Sequence, residues 1–353
     1  MILGFPREFP PDDAERRLPD LAAARAALAA QSAPFDALLE RLRKSLAPLL
    51  HDDAGRALFE RTQAAATLAY ARLALRHGSL GRDFHPYHNE THILDLCGSR
   101  LDRVMQVLGV GGLALRDWCT LILFGACHDL RQREAPRLVD GVGANERASW
   151  EEAERILATC GFDAQADEAL RIALELAIAG STFDARPLAT QTLNAADLVH
   201  SGGALAARLD QVLDARRSGW RSDARLVAAL PLALIAADLD TANVGDAFAR
   251  FAAGGENLCR EREMLAGRAL DAGESALPVL AFLGNGQDRF FFELHRFNSE
   301  AGRAAFGAGK DANAPRLKAL TMGMRARLAL AGPPRSGEEV VAAYRATVAE
   351  IAG

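Results

Sequence analysis

The stretch LRDWCTLILFGACHDLRQ, residues 115–132, decides the fold class of this chain. It is apolar on nearly every side until its last turn, which is typical of a helix that is buried from all directions. Its polar end carries His128 and Asp129, and charged groups at the end of a buried helix require a partner or a metal ion. The stretch therefore predicts a core helix that brings two ionisable side chains into the interior.

The helical pattern continues in both directions along the 353 residues. Apolar residues recur at three- and four-residue spacing, and clean alternation of apolar and polar residues is hard to find. Alanine and leucine dominate, while aromatic residues make up 6%. We predict an all-α chain in which one helix ends at Gly78 and another runs from about Asn89 to about Leu108. A further helix opens at Ser149, because Ser149 and Glu152 have the spacing of a capping box.

Composition and charge limit the functions that are open to the chain. The net charge is −5 and the isoelectric point is near 6.0, so no basic surface for nucleic acid is expected. The N-terminus lacks the pattern of a signal peptide, and the longest apolar run, residues 226–237, contains a proline and is too short to span a bilayer. The five scattered cysteines resemble core residues of a reducing compartment. We expect a cytoplasmic protein with no membrane or nucleic-acid partner.

Histidine is concentrated in one place. The stretch DFHPYHNETHILDL, residues 83–96, holds three of the eight histidines. On a helix that begins near His88, His88 and His92 lie four residues apart and share a face. His85 precedes them, and we expect it to be a surface-loop residue.

These histidines, together with two aspartates, could form a metal site. His92 comes from one predicted helix, His128 and Asp129 end another, and Asp197 lies in a third stretch, LNAADLVHSG. Two imidazoles and two carboxylates that converge from three helices would make an open site for zinc, manganese, iron or magnesium. Each part also has a simpler interpretation: an exposed helix start, a hydrogen-bonded His-Asp pair, and a helix N-cap or core acceptor at Asp197. The joint pattern is more specific than any of its parts.

Two motifs carry a resemblance to a known family. The sequence YHNETH, residues 87–92, with Asp95 three residues further on, resembles the opening motif of the cyclic-nucleotide phosphodiesterases. The dipeptide His128-Asp129 resembles the one that names the wider HD superfamily of metal-dependent phosphohydrolases. The sequence AADL at residues 195–198 resembles the later helix that carries the fourth ligand. The resemblance covers about residues 60 to 205 and extends more loosely to about residue 310.

The resemblance implies a helical bundle of the HD and phosphodiesterase type that binds two divalent ions. His92, His128, Asp129 and Asp197 would bind the first ion. Asp129 would also reach a second ion, which water would mostly complete, and a hydroxide between the ions would attack phosphorus. His88 would protonate the leaving oxygen as the general acid.

The chain also departs from the eukaryotic phosphodiesterases. Gln132 replaces their histidine three residues after the His-Asp aspartate, and the loop that follows differs, so the chain looks like a bacterial branch of HD proteins. In that loop Glu146 could orient His88 or a water molecule, or it could be a first-turn helix residue that faces the helix dipole. Gln287 stands where those enzymes place a base-reading glutamine, but the match is short, and we expect the phenylalanines at 290–292 to be core.

The sequence predicts a division of the chain and a function. We expect an N-terminal helical extension over residues 1–55, an HD-type phosphohydrolase domain over 56–330, and a linker with a C-terminal helix over 331–353. The expected function is hydrolysis of a phosphodiester, with a small phosphorylated compound or a cyclic nucleotide as substrate. Two alternatives stay open, a phosphomonoesterase or nucleotidase of the same superfamily and a regulatory module that binds metal without turnover. The oligomeric state also stays open.

Overall fold

Helices dominate the structure, a computed structural model that describes residues 2–4, 6–135, 138–139, 141–184 and 203–352. Within these ranges the strands form two antiparallel pairs of two-residue strands. The all-α prediction is therefore confirmed. The α-helices are α1 (Asp13–Arg17), α2 (Leu21–Leu28), α3 (Ala33–Ser45), α4 (Asp53–His77), α5 (Glu90–Asp95), α6 (Leu101–Leu108), α7 (Leu115–Cys127), α8 (Ala144–Thr159), α9 (Glu168–Ser181), α10 (Leu209–Arg216), α11 (Ala224–Asp240), α12 (Phe248–Leu265), α13 (Ala276–Ala281), α14 (Gln287–Arg289), α15 (Glu300–Ala331) and α16 (Gly337–Ala352).

Shorter elements connect these helices. The strands are β1 (Leu138–Val139), β2 (Val142–Gly143), β3 (Phe183–Asp184) and β4 (Gly203–Ala204), where β1 pairs with β2 and β3 pairs with β4. The π-helical turns cover Leu96–Arg100, Phe282–Gly286 and Phe290–Leu294. The short 3₁₀ helices are Ala47–Leu49, Val110–Gly112, Leu205–Arg208, Trp220–Ser222, Thr241–Gly245 and Gly273–Ser275.

The described residues fall into two compact units. Unit 1 comprises residues 1–84, 88–240 and 298–302, and unit 2 comprises residues 85–87, 241–297 and 303–353. This division differs from the predicted one, because helices α1–α3 belong to the same unit as α4–α11 and the C-terminal helix α16 belongs to unit 2.

Helix α7 lies at the centre of unit 1. Every residue from Trp118 to Cys127 is buried, which confirms the prediction made from its apolar sequence. Helices α4, α9 and α11 pack against it. Gly125 allows the close approach of the Leu96–Arg100 turn, since a Cβ at this position would lie 2.5 Å from Sγ of Cys97.

The predicted helix from Asn89 to Leu108 is interrupted in the structure. It consists of α5, the π-helical turn Leu96–Arg100 and α6, and Gly98 leaves helical geometry with φ −92° and ψ −117°. The helix predicted to open at Ser149 already begins at Ala144. Ser149 does not cap it, because its Oγ accepts a hydrogen bond from the backbone N–H of Arg131.

A buried ion network ties the first residues of the chain to the rest of unit 1. Arg76 on α4 donates to Asp12 at 2.7 and 2.9 Å and to Glu152 on α8 at 2.9 Å. Arg72 lies 3.4 Å from Glu15 and 3.5 Å from Glu152. The carboxylates of Asp12, Glu15 and Glu152 lie close enough together to hold a cation, and the arginines already supply that positive charge. The predicted N-terminal extension is thus part of the core.

Unit 2 has a core of its own. Helices α12, α13, α15 and α16 bury Phe251, Val279, Leu320, Val340 and Tyr344, among other apolar residues. The final helix was expected to be a separate segment after a linker, but its Val340 and Tyr344 are almost fully buried. The apolar face of α16 is the physical reason for this difference.

One helical stretch in the described residues, Ala224–Gly245, is long and apolar enough to cross a membrane. However, 56% of its most apolar window is buried inside the protein. A core helix of a folded domain meets the same criteria, so this stretch is weak support for a membrane span.

Candidate metal centre

Helix α7 delivers two members of the site at its C-terminal end. His128 is the C-cap residue, and its backbone N–H donates to the carbonyl of Phe124 at 3.0 Å. The imidazole stacks on the Phe124 ring with a centroid distance of 4.7 Å. Asp129 follows as the chain turns, and the backbone N–H of Leu130 returns to the Cys127 carbonyl. The buried helix therefore fixes the position of the His-Asp dipeptide.

Helix α5 delivers the second histidine. Asn89 is its N-cap residue, with extended backbone and a side-chain oxygen that accepts the N–H of Thr91 at 2.8 Å. His92 lies in the six-residue helix that follows and is 5% exposed. Asn89 has the extended backbone that an N-cap requires, so His88 precedes the helix. The two histidines therefore do not share a helical face, in contrast to the prediction.

The fourth member is Asp240, at the C-terminal end of α11. Nη1 of Arg100 donates hydrogen bonds to the carbonyl oxygens of Leu239 and Asp240, at 3.1 and 2.7 Å. These bonds satisfy carbonyl groups that the end of a helix leaves unpaired. The predicted fourth ligand, Asp197, lies outside the described residues.

The four side chains converge on one point. His92, His128, Asp129 and Asp240 each offer one ligand atom, and these atoms lie within 4.8 Å of one another. Oδ2 of Asp129 lies 3.0 Å from Nε2 of His128 and 3.5 Å from Nε2 of His92. Oδ1 of Asp240 lies 3.4 and 3.3 Å from the same two nitrogens. The group could hold a metal ion.

The two ring nitrogens of His128 show that the group fits a cation. Nδ1 lies 3.2 Å from the carbonyl oxygen of Phe124, so we assign the ring proton to Nδ1. Nε2 is buried and makes no hydrogen bond, although carboxylate oxygens of Asp129 and Asp240 lie 3.0 and 3.4 Å away. A histidine that ligates a metal typically donates its other N–H to a backbone carbonyl in this way. A lone pair that faces two negative oxygens needs a positive charge between them.

The pKa values of the candidate ligands also indicate that the carboxylates need a positive charge beside them. Burial lowers the pKa of His128, but the carboxylates of Asp129 and Asp240 outweigh burial and raise it to about 10. Burial raises the pKa of Asp129, yet the nearby His128 and His88 bring it down to about 2. The pKa of Asp240 is also lowered, against the effect of burial, by His128 and His92. Without an ion a proton on His128 balances the carboxylates, and a divalent ion that binds would displace that proton.

His92 differs from His128 in its ionisation. Burial lowers the pKa of His92 below its ordinary value, and the charges of His128 and Arg100 act in the same direction. Asp240 and Asp129 raise the pKa of His92 without overcoming burial. A neutral imidazole is the form that ligates a metal.

Two candidate catalytic residues lie beside the four ligands. His88 is half-buried, and its ring centroid lies 6.2 Å from that of His92 at an angle of 77°. Glu146 is in the first turn of α8 and folds back over Gly143, where a Cβ would lie 1.7 Å from its Oε2. Burial raises the pKa of Glu146 to about 7, and the charges of Asp129 and Asp240 add to this effect. Neither residue belongs to the ligand group.

Gln132 contacts the site directly. Its Nε2 donates to Oδ1 of Asp129 at 2.8 Å. The residue at the position where the resemblance predicts a histidine is therefore in contact with an aspartate of the candidate metal centre.

Other residues singled out in the sequence lie elsewhere. His85 is fully buried in unit 2, with Nδ1 3.2 Å from Oε1 of Glu261, so the surface-loop prediction was wrong. A carboxylate partner satisfies the hydrogen-bonding capacity of a buried imidazole. Gln287 is buried in the core of unit 2, where its amide shares hydrogen bonds with the hydroxyl of Tyr344 at 3.3 Å. Phe291 is core as expected, whereas Phe292 is 38% exposed.

Asp240 is the site residue that sequence reasoning missed. The sequence did contain a signal for Asp240, because the four residues AADL occur twice, at 195–198 and at 236–239. The second copy is followed directly by Asp240 and ends a long apolar helix, as His128 and Asp129 end α7. A carboxylate at the end of a buried helix is therefore a second sequence criterion for a ligand, beside the copy of AADL that holds Asp197.

Comparisons of the chain with protein-family models, with curated proteins and with solved structures found no match. The geometry of the four side chains therefore provides the structural basis for a functional interpretation.

Proposed function

We propose that this chain is a metal-dependent phosphohydrolase. The observation that carries the proposal is the convergence of His92, His128, Asp129 and Asp240 on one point. Two nitrogen and two carboxylate donors suit a divalent ion such as zinc, manganese, iron or magnesium. The resemblance of the motif at 87–92 and of the His-Asp dipeptide to the HD superfamily supports a phosphoric ester as the substrate.

The role of the protein is to hold donors, water and substrate in fixed positions. A divalent ion at this site would supply Lewis acidity, since it neutralises charge on phosphoryl oxygens and makes water easier to deprotonate. His128 and Asp129 are fixed by the buried helix α7, and Asp240 is fixed by the helix end that Arg100 binds. Such a rigid first layer holds the ligand geometry without reorganisation during the reaction.

His88 is the residue that we assign as the general acid. It lies beside the ligand group without belonging to it, and an imidazole next to a metal centre can transfer a proton to the substrate. In its protonated form it would donate a proton to the oxygen that leaves phosphorus. Glu146, on the neighbouring helix, would orient His88 or the attacking water.

The substrate class that we infer is a small phosphodiester, for example a cyclic nucleotide. This inference rests on the motif at residues 87–92, which resembles that of the phosphodiesterases. Selection of the nucleobase is not assigned to Gln287, because its amide is already bound to Tyr344 in the core of unit 2. A phosphomonoester is the competing substrate class, and direct comparison of the two esters separates them.

The first test uses two diesters that differ in their leaving group. Metal-loaded protein is assayed with bis(p-nitrophenyl) phosphate, whose aryl oxide leaves without a proton, and with a cyclic nucleotide, whose alkoxide needs one. We expect His88→Asn to lower kcat for the cyclic nucleotide by roughly 100- to 10,000-fold and to affect the aryl ester much less. Metal content, measured by elemental analysis, should not change.

The control is His51→Asn, since His51 is exposed and lies in a polar turn beside Asp52. If His88→Asn lowered both rates equally, the general-acid assignment would be wrong. If metal-loaded protein hydrolysed neither diesters nor monoesters, the enzymatic proposal would fail and a module that binds metal without turnover would be favoured.

A further inference from the structure

The contact between Gln132 and Asp129 distinguishes the two oxygens of a metal-binding carboxylate. Oδ2 of Asp129 faces His128 at 3.0 Å and His92 at 3.5 Å, so it is the oxygen directed at the ligand group. Oδ1 accepts a hydrogen bond of 2.8 Å from Nε2 of Gln132, three residues further along the chain. One oxygen therefore faces the metal position and the other is held by an amide.

The orientation of the Gln132 amide follows from its chemistry. Nε2 is the amide atom that lies 2.8 Å from Oδ1, and a carboxylate oxygen accepts hydrogen bonds, so the NH₂ group of the amide faces Asp129. The positive end of the amide dipole then lies against Oδ1. A cation that bound Oδ1 would have to share this oxygen with the positive end of the amide dipole.

A carboxylate bridges two ions by offering one oxygen to each. In this chain a second ion would need Oδ1 of Asp129, which Gln132 already engages. In the part of the chain that the structure describes, the ligand group at this position consists of His92, His128, Asp129 and Asp240. Glu146, a nearby carboxylate, folds back over Gly143 and is outside the group. Within the described residues, a second ion would thus have to share its bridging oxygen with an amide donor and would find no further member of the ligand group.

We propose that this centre binds one divalent ion, and that Gln132 is a positioning residue that restricts Asp129 to ligation through Oδ2. The inference rests on the metal centre of the proposed function and departs from the two ions that the resemblance implies. It assigns a structural consequence to the one motif position at which the chain differs most clearly from the phosphodiesterases.

The test counts manganese ions without measuring activity. Purified protein is dialysed against graded Mn²⁺, bound metal is determined by elemental analysis, and the electron paramagnetic resonance spectrum is recorded. Wild-type protein should bind one ion per chain and give the spectrum of an isolated Mn²⁺. Gln132→Ala should weaken this first ion by roughly 10- to 100-fold, because an outer-layer partner that orients a ligand is lost.

Two further variants make the test decisive. Gln165→Ala removes an exposed glutamine of unit 1 and should leave the stoichiometry and affinity unchanged. Gln132→Glu keeps the length of the side chain and adds a carboxylate beside Asp129, so it should bind a second Mn²⁺ and show the spectrum of a coupled pair. This variant tests the proposal even if Gln132→Ala does not fold.

The outcomes separate this inference from the proposed function. Two ions of similar affinity in the wild-type protein, or a coupled spectrum, would overturn the single-ion inference and leave the phosphohydrolase proposal intact. Unchanged affinity in Gln132→Ala would overturn the positioning role. One bound ion without hydrolysis of any phosphoester would support the inference while the proposed function fails, and no bound ion would overturn both.

Discussion

Asp240 contributes the ligand atom that connects α11 to both histidines of the centre. Its Oδ1 lies 3.3 Å from Nε2 of His92 and 3.4 Å from Nε2 of His128. An asparagine would have nearly the same shape but would lack the negative charge. Comparison of the two side chains therefore tests the charge of this position rather than its volume.

Asp240→Asn should weaken Mn²⁺ binding by more than the roughly 10- to 100-fold that loss of an outer-layer partner costs, because a direct ligand is changed. The measurement is competition with a chromogenic chelator at constant pH. Asp197→Asn is the matched comparison, since the sequence resemblance assigned the fourth ligand to Asp197. If Asp240 is the fourth ligand, that variant should bind the ion as tightly as wild type. The reverse result would show that Asp240 is not the fourth ligand.

The N-terminus of α5 separates His88, the proposed general acid, from His92, a member of the candidate metal centre. Asn89 is 3% exposed and separates His88 from the helix that carries His92. Its side chain satisfies a backbone N–H that no residue of the short helix can pair. The cap therefore fixes both the start of α5 and the point where the chain carrying His88 turns away.

Asn89→Ala should destabilise the protein by about 0.5–2 kcal/mol, the usual cost of losing an N-cap, whereas Asn89→Asp should retain nearly all of the stability. Denaturant unfolding provides the measurement. Because the cap also positions His88, we expect Asn89→Ala to lower kcat even under conditions where the variant is fully folded. Equal stability of the alanine and aspartate variants would contradict the capping role.

The ion network around Arg76 holds distant parts of unit 1 together. It connects Asp12, Arg76 on α4 and Glu152 on α8, and Arg76 also donates to the carbonyl of Leu130 at 2.6 Å, next to the His-Asp dipeptide. The network therefore supports the turn that presents His128 and Asp129. Its removal affects both stability and the site.

Arg76→Leu should lower the free energy of unfolding by about 3–5 kcal/mol, because the half-buried Asp12 and the buried Glu152 lose the guanidinium that donates hydrogen bonds to both. Denaturant unfolding at neutral pH measures this change. Arg43→Leu is the control, since Arg43 pairs with Glu40 on the exposed face of α3 and should cause no measurable loss. If Arg76→Leu and Arg43→Leu were equally stable, the ion network would not contribute to the free energy of unfolding.

The pH dependence of stability should reveal Asp12. Burial raises the pKa of Asp12, but Arg76 outweighs it, so the folded-state pKa lies below the unfolded value of about 3.9. A carboxyl group with a depressed folded pKa stabilises the protein above the unfolded pKa, and this contribution is lost as the pH falls. Wild type should therefore be more stable than Asp12→Asn at pH 6, and the difference should shrink below about pH 4. Asp13→Asn, at an exposed neighbouring position, should show no such trend.

The reactivity of the cysteines tests how well the interior of the protein is packed. Cys97, Cys119, Cys127 and Cys259 are buried and Cys160 is half-buried, and all are free thiols. Burial raises the pKa of Cys97 to about 12, so its reactive thiolate is scarce at neutral pH. Iodoacetamide at pH 8 should leave the four buried thiols unmodified in the native protein and should modify five in denaturant, as read by mass spectrometry. Rapid modification of Cys97 in the native protein would contradict the described packing.

Local sequence predicted the helical fold and three of the four members of the ligand group, His92, His128 and Asp129. Three- and four-residue periodicity predicts helices because it reflects only neighbouring turns, and the all-round apolar sequence of α7 correctly predicts its burial. The same helix placed His128 and Asp129 at a buried end, and both lie in the ligand group. These predictions succeed because their physical causes lie within a few residues.

Tertiary structure alone decided the partners of those residues. His85 has a buried carboxylate partner 176 residues away, and His92 contacts Asp240 across 148 residues. The sequence AADL occurs at 195–198 and at 236–239, and no local rule separates the two copies. The packing of α11 against α7 and α9 brings the end of the second copy to the histidines. Side-chain identity and helical periodicity are properties of the local chain, whereas the meeting of four ligand atoms depends on how whole helices pack.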